Sequence, residues 1–191
     1  IQVKVVIACG GSGGHIFPAV ALAEELRLKD ASVETLFIGS NKALDKRIFE
    51  KEGFRYSLLS ANKLPYKLSL SMLAFFTKLF FDILKSVFIL ARFRPEVVLG
   101  FGGYVTAPVI FASYLLRIPR IIHEQNVVPG RANAALFKLA DRIAISFEET
   151  NKYLGPYAYK SAFTGNPIRA TLLKNDRAGN MKKFGLDTNK F

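Results

Sequence analysis

Residues 3–28, VKVVIACGGSGGHIFPAVALAEELRL, decide the fold of this chain. The apolar, β-branched run Val3–Ala8 predicts a buried strand, and the apolar spacing over Ala19–Leu28 predicts a helix. Between the two lies a glycine-rich turn made of Gly10, Gly11, Ser12, Gly13, Gly14 and His15. Strand, glycine turn and helix in this order predict a βα unit in which backbone N–H groups and the positive end of the helix can meet an anion.

The glycine turn itself predicts a phosphate-binding loop. A plain tight turn is the alternative, but it would need only one or two glycines, whereas four allow positive φ and a close approach of a ligand. The dinucleotide fingerprint is excluded because a pattern starting at Gly11 would need glycine at residue 16, which is Ile16, and no Lys-Ser/Thr pair of a Walker loop follows. We expect Pro18 in the first helical turn. His15 is either a ligand contact or a proton carrier.

The composition describes a basic globular protein. Half of the 191 residues are apolar, which is enough for one α/β domain with a substantial core. The 27 Lys and Arg against 15 Asp and Glu give a net charge of +12, which predicts an anionic partner: nucleic acid, acidic lipid or a phosphorylated substrate. We expect the single cysteine, Cys9, to be buried in a protein of a reducing compartment. The chain opens on a strand pattern, so we expect no secretory signal there.

Strand-like and helical patterns alternate along the chain. The predicted strands are Val3–Ala8, Val33–Ile38, Tyr56–Leu59, Val97–Leu99, Arg120–His123 and Arg142–Ile145. The predicted helices are Ala19–Leu28, Lys42–Lys51, Leu68–Phe93, Ala107–Leu116 and Ala132–Leu139. This alternation predicts the α/β class with a doubly wound, Rossmann-like parallel sheet and the common strand order 3-2-1-4-5.

Three loops should meet at the carboxyl edge of this sheet. Ligands of such sheets bind where the strand order reverses, here between the first and fourth strands. The loop after the fourth strand is the glycine-rich Gly100–Tyr104, and the loop after the fifth holds the polar run His123–Asn126 and then Pro129–Asn133. Any one of these could be only a turn, whereas three together predict a binding site.

The segment Leu68–Arg94 carries more apolar surface than a helix on a sheet needs. Its polar residues interrupt any spanning helix and fall within one stripe roughly 80° wide; they are Ser71, Lys78, Asp82, Lys85 and Arg92. A central helix covered on both sides by neighbours is the alternative, but the net charge favours a peripheral surface for an anionic membrane. The patch is predicted at Phe76, Phe80, Phe81, Leu84, Lys78 and Lys85, with a wider basic surround at Lys63, Lys67, Arg92 and Arg94. Nucleic-acid binding rests on charge alone, since no aromatic stacking platform accompanies these cations.

Four motifs resemble the MurG family of peptidoglycan glycosyltransferases. They are GGSGGHIFPA at Gly10–Ala19, GFGGYVTAP at Gly100–Pro108, HEQNVVPGRAN at His123–Asn133 and GNPIR at Gly165–Arg169. The resemblance implies a two-domain GT-B fold, of which residues 1–169 would be the N-terminal, acceptor-side and membrane-binding domain. Residues 170–191 would be an interdomain linker and the start of a C-terminal domain that binds UDP-N-acetylglucosamine.

The resemblance also implies a reaction. Members of the family transfer N-acetylglucosamine from UDP-N-acetylglucosamine to the MurNAc-pentapeptide of lipid I, forming lipid II with inversion at the anomeric carbon. We therefore expect a peripheral enzyme at the cytoplasmic face of the bacterial inner membrane, acting on an acceptor linked to undecaprenyl diphosphate. We expect no cofactor, no essential metal, since no Asp-x-Asp motif is present, no nucleic-acid partner, and no activity of this chain alone. The alternative is a non-catalytic subunit that recruits a separate donor-binding subunit to the membrane.

Residue roles follow from the same resemblance. The acceptor diphosphate and sugar would be bound by Gly11, Ser12, Gly13, Gly14, Gly102, Gly103, Tyr104, Asn126 and Asn133. Catalysis would involve His15, His123 and Glu124, because a neutral histidine suits the removal of the acceptor hydroxyl proton and a neighbouring carboxylate would set its tautomer. We favour His15 as the base; His123 is the rival, or a structural group that closes the fifth strand. Arg169 is predicted near the donor in the cleft.

Overall fold

The computed structural model describes residues 2–61, 70–173, 181 and 183. Seven parallel strands form one sheet in the order β3-β2-β1-β4-β5-β6-β7. The strands are β1 Lys4–Ala8, β2 Glu34–Ser40, β3 Arg55–Leu59, β4 Val97–Gly100, β5 Arg120–Glu124, β6 Arg142–Ile145 and β7 Ser161–Phe163. The helices are α1 Gly13–Lys29, α2 Ala43–Lys51, α3 Leu70–Phe93, α4 Thr106–Leu115, α5 Arg131–Leu136 and α6 Ala170–Leu173, with 3₁₀ helices at Glu148–Tyr153 and Gly155–Lys160. The predicted doubly wound sheet and its strand order are confirmed.

Strand β1 is buried on both faces, as the apolar run at the start of the chain predicts. Val6 and Ala8 belong to the core cluster shared with α3, α4 and α5, whereas Val5 and Ile7 belong to the cluster shared with α1 and α2. Successive side chains of a strand point to opposite faces, so one continuous apolar run supplies both layers. Cys9 is buried as predicted, and burial raises the pKa of its thiol well above the usual value.

Helix α1 begins six residues earlier than the sequence pattern predicts. Its first residue is Gly13, so that Pro18 lies in the second turn, and the expectation of Pro18 in the first turn is wrong. Gly13 and Gly14 of the turn take up helical geometry, which apolar periodicity cannot reveal. Proline has no N–H, so Pro18 cannot donate a hydrogen bond to the carbonyl of Gly14.

Two smaller differences concern the later strands. Strand β7 is absent from the predicted pattern because it is a three-residue edge strand with two exposed side chains. Strand β5 extends one residue beyond the predicted Arg120–His123, so Glu124 ends the strand, whereas we expected it in the loop that follows. Of the predicted linker, residues 174–180, 182 and 184–191 lie outside the described residues, as do Lys63 and Lys67.

Helix α3 lies beside α4 on the sheet and is tied to the end of β3. The buried Asp82 carboxylate accepts hydrogen bonds from the N–H groups of Ser60 and Ala61, each at 2.9 Å. The Lys85 ammonium donates to the Leu58 carbonyl oxygen at 2.8 Å. The Asp82 carboxylate of the predicted polar stripe is therefore a docking contact and does not face solvent, whereas Lys85 makes its contact from an exposed position. Within the described part of the chain, no helix combines the length and apolarity needed to cross a membrane.

Candidate functional site

The first glycine loop, Gly10–Gly14, joins β1 to α1 at the carboxyl edge of the sheet. Of its glycines, Gly11 alone uses the positive φ that glycine allows, at +83°. Among the described residues, no group accepts a hydrogen bond from the backbone N–H of Ser12, Gly13 or Gly14. These three donors lie at the positive end of α1, and together they can bind an anion.

Asp45 holds the first glycine loop from the α2 side. Its fully buried carboxylate accepts hydrogen bonds from the Gly11 N–H at 3.1 Å and from the N–H and hydroxyl of Ser40 at 2.9 and 2.6 Å. Sequence reasoning missed this residue. An aspartate in the first turn of a helix is common because of the helix dipole, and its contact with a loop 34 residues away leaves no local signal.

The second glycine loop, Gly102–Tyr104, packs directly on the first. Gly102 and Gly103 have φ values of +100° and +84°, and a Cβ at residue 103 would overlap the carbonyl oxygen of Gly10. The buried Thr106 hydroxyl accepts a hydrogen bond from the Gly102 N–H at 3.1 Å and donates to the Gly102 carbonyl at 2.8 Å. Packing between the two loops therefore requires Gly103, and positive φ favours glycine at both positions, while the partly exposed Tyr104 lies at the rim.

The His15 ring lies between the two glycine loops. Its Nδ1 is 3.1 Å from the Ser12 hydroxyl and 3.4 Å from the Gly10 carbonyl oxygen. Its Nε2 would be 2.9 Å from a Cβ at residue 102, so the ring sits over Gly102. A carbonyl oxygen can only accept, and the Gly10 contact therefore favours the tautomer with the proton on Nδ1. Within the described residues no group hydrogen-bonds to Nε2, which leaves its lone pair open to a ligand.

His123 has a different environment at the end of β5. Its ring is buried and stacks on Phe101 with a centroid distance of 4.9 Å. Nε2 is 3.1 Å from the Gly165 carbonyl oxygen, and Nδ1 is 3.1 Å from the side-chain amide nitrogen of Gln125. Nε2–H therefore donates to Gly165 and Nδ1 accepts from Gln125, so both ring nitrogens are occupied. Burial lowers the pKa of His123, more than its contact with Gly165 and the charge of Glu124 raise it.

Glu124 organises the loop that follows β5. One carboxylate oxygen accepts hydrogen bonds from the N–H and the side-chain amide of Asn126 at 2.9 and 3.0 Å. The other accepts from the Gly130 N–H at 3.2 Å and the Asn133 amide at 2.9 Å. The carboxylate does not hydrogen-bond to the His123 ring, so our expectation that Glu124 sets the tautomer of this histidine is wrong. Adjacent strand residues point to opposite faces, and Gln125 and Gly165 hydrogen-bond to the His123 ring instead.

Arg169 is engaged by two acidic side chains. Its guanidinium donates to both oxygens of Glu24, on α1, and to both oxygens of Glu52, at the end of α2. The hydrogen bonds with Glu52 and Glu24 raise the pKa of Arg169 above its usual value. The contact of Arg169 with a sugar-nucleotide donor stays a prediction.

The outer side of α3 presents a continuous apolar surface. Its exposed members Leu73, Phe76, Phe80, Phe81, Leu84 and Phe88 recur at helical spacing, and we call this set the α3 stripe. Phe80 and Phe81 are 57% and 61% exposed, so no helix among the described residues covers that side. Lys78 and Lys85 are exposed beside the stripe.

The structure brings the three predicted loops together. His15 and Gly103 join the two glycine loops, and the Gln125 amide, which donates to the Phe101 carbonyl at 2.9 Å, joins the second loop to the end of β5. The convergence predicted at the boundary of β1 and β4 is confirmed. Over residues 2–61 and 70–173 there is no group of three or more His, Cys, Asp or Glu side chains arranged to hold a metal ion.

Comparison with known proteins agrees with this geometry. The UDP-N-acetylglucosamine–N-acetylmuramyl-(pentapeptide) pyrophosphoryl-undecaprenol N-acetylglucosamine transferase of Acetivibrio thermocellus is 38% identical over 183 residues, 96% of this chain and 49% of that protein. The protein of the same name from Geobacter sulfurreducens is 40% identical over 96% of this chain and 50% of its own length. The chain thus spans about half the length of the curated relatives it matches.

Solved structures show the same architecture. The crystal structure of Acinetobacter baumannii MurG superposes with a TM-score of 0.70 at 25% identity, covering 92% of this chain and 49% of that one. A UDP-GlcNAc 2-epimerase from Neisseria meningitidis, with a TM-score of 0.66, 18% identity and coverage of 95% and 52%, shares the fold. The glycosyltransferase family 28 N-terminal domain matches residues 5–145, from β1 through β6. The chain therefore belongs to the glycosyltransferase family 28 N-terminal domain family.

Proposed function

We propose that this chain is the acceptor-side half of an N-acetylglucosaminyltransferase that converts lipid I to lipid II. The donor would be UDP-N-acetylglucosamine, bound by a second half of the kind that the relatives' greater length leaves room for. One observation carries the proposal most directly: three N–H groups at the start of α1 that have no acceptor among the described residues lie beside the His15 ring, whose Nε2 also has no partner there. An anion site next to a proton acceptor is what transfer to a diphosphate-linked sugar requires.

The two glycine loops would bind the acceptor diphosphate. The N–H groups of Ser12, Gly13 and Gly14 supply donors directed at an oxyanion, and the positive end of α1 adds about half a charge. The second glycine loop, packed on the first, would form the opposite wall with Tyr104 at its rim. Asn126 and Asn133, held by Glu124, would lie towards the acceptor sugar.

His15 would act as the general base. In an inverting transfer the acceptor hydroxyl attacks the anomeric carbon as the bond to the nucleotide diphosphate breaks, and the hydroxyl proton must leave. With its proton on Nδ1, His15 can accept this proton on Nε2. Contacts with Ser12 and Gly10 fix the ring in place. His123 and Glu124, whose hydrogen-bonding atoms are already occupied, would instead position the loops.

The α3 stripe would rest on an anionic membrane surface. Exposed phenylalanine and leucine side chains would enter the headgroup region, while Lys78 and Lys85 would be attracted to acidic headgroups by about 1 kcal/mol each. This surface would place the enzyme peripherally at the cytoplasmic face of the bacterial inner membrane, where a lipid-anchored acceptor can reach the glycine loops.

The proposal is tested by transfer of radiolabelled N-acetylglucosamine to lipid I. We expect the full-length protein to form lipid II from UDP-N-acetylglucosamine and the 191-residue chain alone to form none. Recovery of activity when the missing half is added as a separate polypeptide would support the assignment of the two halves. Turnover by the chain alone, or failure of the full-length protein to use lipid I, would overturn it.

A further inference from the structure

Lys42 occupies an unusual position beside the first glycine loop. It immediately precedes α2 and serves as its N-cap residue, yet its side chain makes no capping hydrogen bond. Ser, Thr, Asp and Asn are the favoured residues there, and a cation at the positive end of a helix is unfavourable. The local structure therefore gives no reason for lysine at this position.

The Lys42 ammonium instead reaches the first glycine loop. It donates a hydrogen bond to the Gly11 carbonyl oxygen at 3.3 Å and would be 3.6 Å from a Cβ at residue 11. Among the described side chains, no carboxylate forms an ion pair with it. Asp45, the acid nearest to this loop, is buried and uses its two oxygens on Gly11 and Ser40.

Around the first glycine loop, positive charge exceeds the single negative charge of the Asp45 carboxylate. The start of α1, the start of α2 and the Lys42 ammonium all lie around the first glycine loop, and a bound anion would relieve their mutual repulsion. A diphosphate carries at least two negative charges, of which a single helix end can offset about half of one. The ammonium has two further N–H donors that the Gly11 contact does not use.

We propose that Lys42 is a ligand of the second phosphate group of a diphosphate whose first phosphate is bound by the N–H groups of Ser12, Gly13 and Gly14. This inference rests on the proposed function. Lys42 would be a ligand from outside the glycine loops and would make the site selective for diphosphates over monophosphates. The diphosphate could belong to a prenyl chain or to a nucleotide, and the experiment separates these two sources.

The test measures binding of farnesyl diphosphate, farnesyl monophosphate and UDP to the 191-residue chain by calorimetry. We expect Lys42→Ser to weaken farnesyl diphosphate binding about tenfold, because one charge-assisted hydrogen bond is lost. Monophosphate binding should stay unchanged, and Lys42→Arg should retain most of the affinity. Lys46→Ser is the matched control, since Lys46 lies on the same helix and pairs with Glu50 at 3.8 Å.

A second measurement separates a binding role from a structural one. Serine is a better N-cap than lysine, so Lys42→Ser should raise the unfolding midpoint by about 2 °C while it weakens binding. Unchanged farnesyl diphosphate affinity in Lys42→Ser, an equal loss in Lys46→Ser, or equal affinity of the wild-type chain for mono- and diphosphate would each overturn the proposal. An effect on UDP alone would assign Lys42 to the nucleotide and overturn the prenyl assignment. The proposed function is tested separately, by lipid II formation with the full-length protein.

Discussion

The imidazole of His15 lies directly over Gly102, so that a Cβ at residue 102 would come within 2.8 Å of the ring. The residue that we propose as the base is thus positioned by a glycine 87 residues further along the chain. The contact places the candidate proton acceptor at the junction of the two glycine loops, where the anion donors of α1 also lie.

The first prediction concerns His15 as the base. His15→Ala in the full-length protein should lower the rate of transfer to lipid I by about 10²-fold or more, because no group would accept the hydroxyl proton. The KM for UDP-N-acetylglucosamine should change little. His15→Gln, which keeps a polar side chain of similar length, should be equally slow. Turnover near the wild-type rate would remove His15 from this role.

The second prediction compares glycines. Gly103→Ala should lower the free energy of unfolding by about 3 kcal/mol, because the new methyl group would overlap backbone of the first loop and the φ of +84° is strained for alanine. Gly130→Ala, at a position with open space and negative φ, should change it by less than about 1 kcal/mol. Urea unfolding of both variants provides the measurement, and equal losses would contradict the packing argument.

Gly102→Ala extends this comparison to the site. Its methyl group would meet the His15 ring, which can move, whereas the obstacle at residue 103 is backbone. We therefore expect a smaller stability loss than in Gly103→Ala but a large loss of transfer rate, measured on the full-length protein. A variant that is unstable and yet fully active per folded molecule would contradict the role of this contact.

The third prediction concerns Glu124. Glu124→Gln should destabilise the chain by about 2 kcal/mol, because an amide nitrogen would face N–H donors that now meet a carboxylate oxygen. Glu149→Gln, at an exposed acidic residue of the same region, is the control. Thermal unfolding measures the difference. A fully stable Glu124→Gln chain whose full-length form is inactive would instead favour the catalytic role implied by the resemblance.

The fourth prediction is a pH dependence of stability. Burial lowers the pKa of His123 in the folded chain below its usual value of 6.5, so below about pH 6.5 the unfolded chain binds more protons than the folded one. The contribution of His123 to stability should therefore be complete above pH 6.5 and decline as the pH falls further. Urea titrations between pH 7 and pH 5 should show this decline, and it should be smaller in His123→Gln. If the free energy of unfolding depended on pH in the same way in both proteins, the lowered pKa of His123 would be contradicted.

The fifth prediction concerns the α3 stripe. Phe80→Asp with Phe81→Asp should weaken binding to vesicles of anionic phospholipid without unfolding the chain, because both rings are exposed. The matched control is Leu28→Asp with Tyr159→Asp, which adds the same charge at exposed apolar positions outside α3. Vesicle co-sedimentation and circular dichroism provide the readouts. Loss of the folded signal would mean that these phenylalanines stabilise the fold.

The sheet could be predicted from sequence because its signal is local. Each central strand is a short apolar run followed by a helical pattern, and the two periodicities differ clearly. The start of α1 could not be predicted, since Gly13 and Gly14 have no side chain that would reveal helical periodicity. The edge strand β7 could not be predicted either, because three residues with two exposed side chains carry almost no apolar pattern.

The residues of the site likewise fall into those with a local sequence signal and those without one. The glycine loops and the polar run after β5 could be found because their composition is unusual for ordinary turns. Asp45 and Asp82 could not, because each binds backbone groups of a different segment and nothing in its own neighbourhood indicates the partner. The expectation that Glu124 sets the tautomer of His123 is wrong for the same reason, because Gly165, 42 residues away, and Gln125 hydrogen-bond to the ring instead.

The hydrogen bonds between Asp82 and the end of β3 connect the α3 stripe to the side of the sheet that carries the anion site. The helix that carries the α3 stripe is hydrogen-bonded to Ser60 and Ala61, which follow β3 at the edge of the sheet where the glycine loops lie. With the stripe resting on a bilayer, this connection would set the height of the anion site above the lipid surface. The enzyme would then select acceptors by the length of the link between sugar and lipid, because only a diphosphate held at that height could reach the two glycine loops.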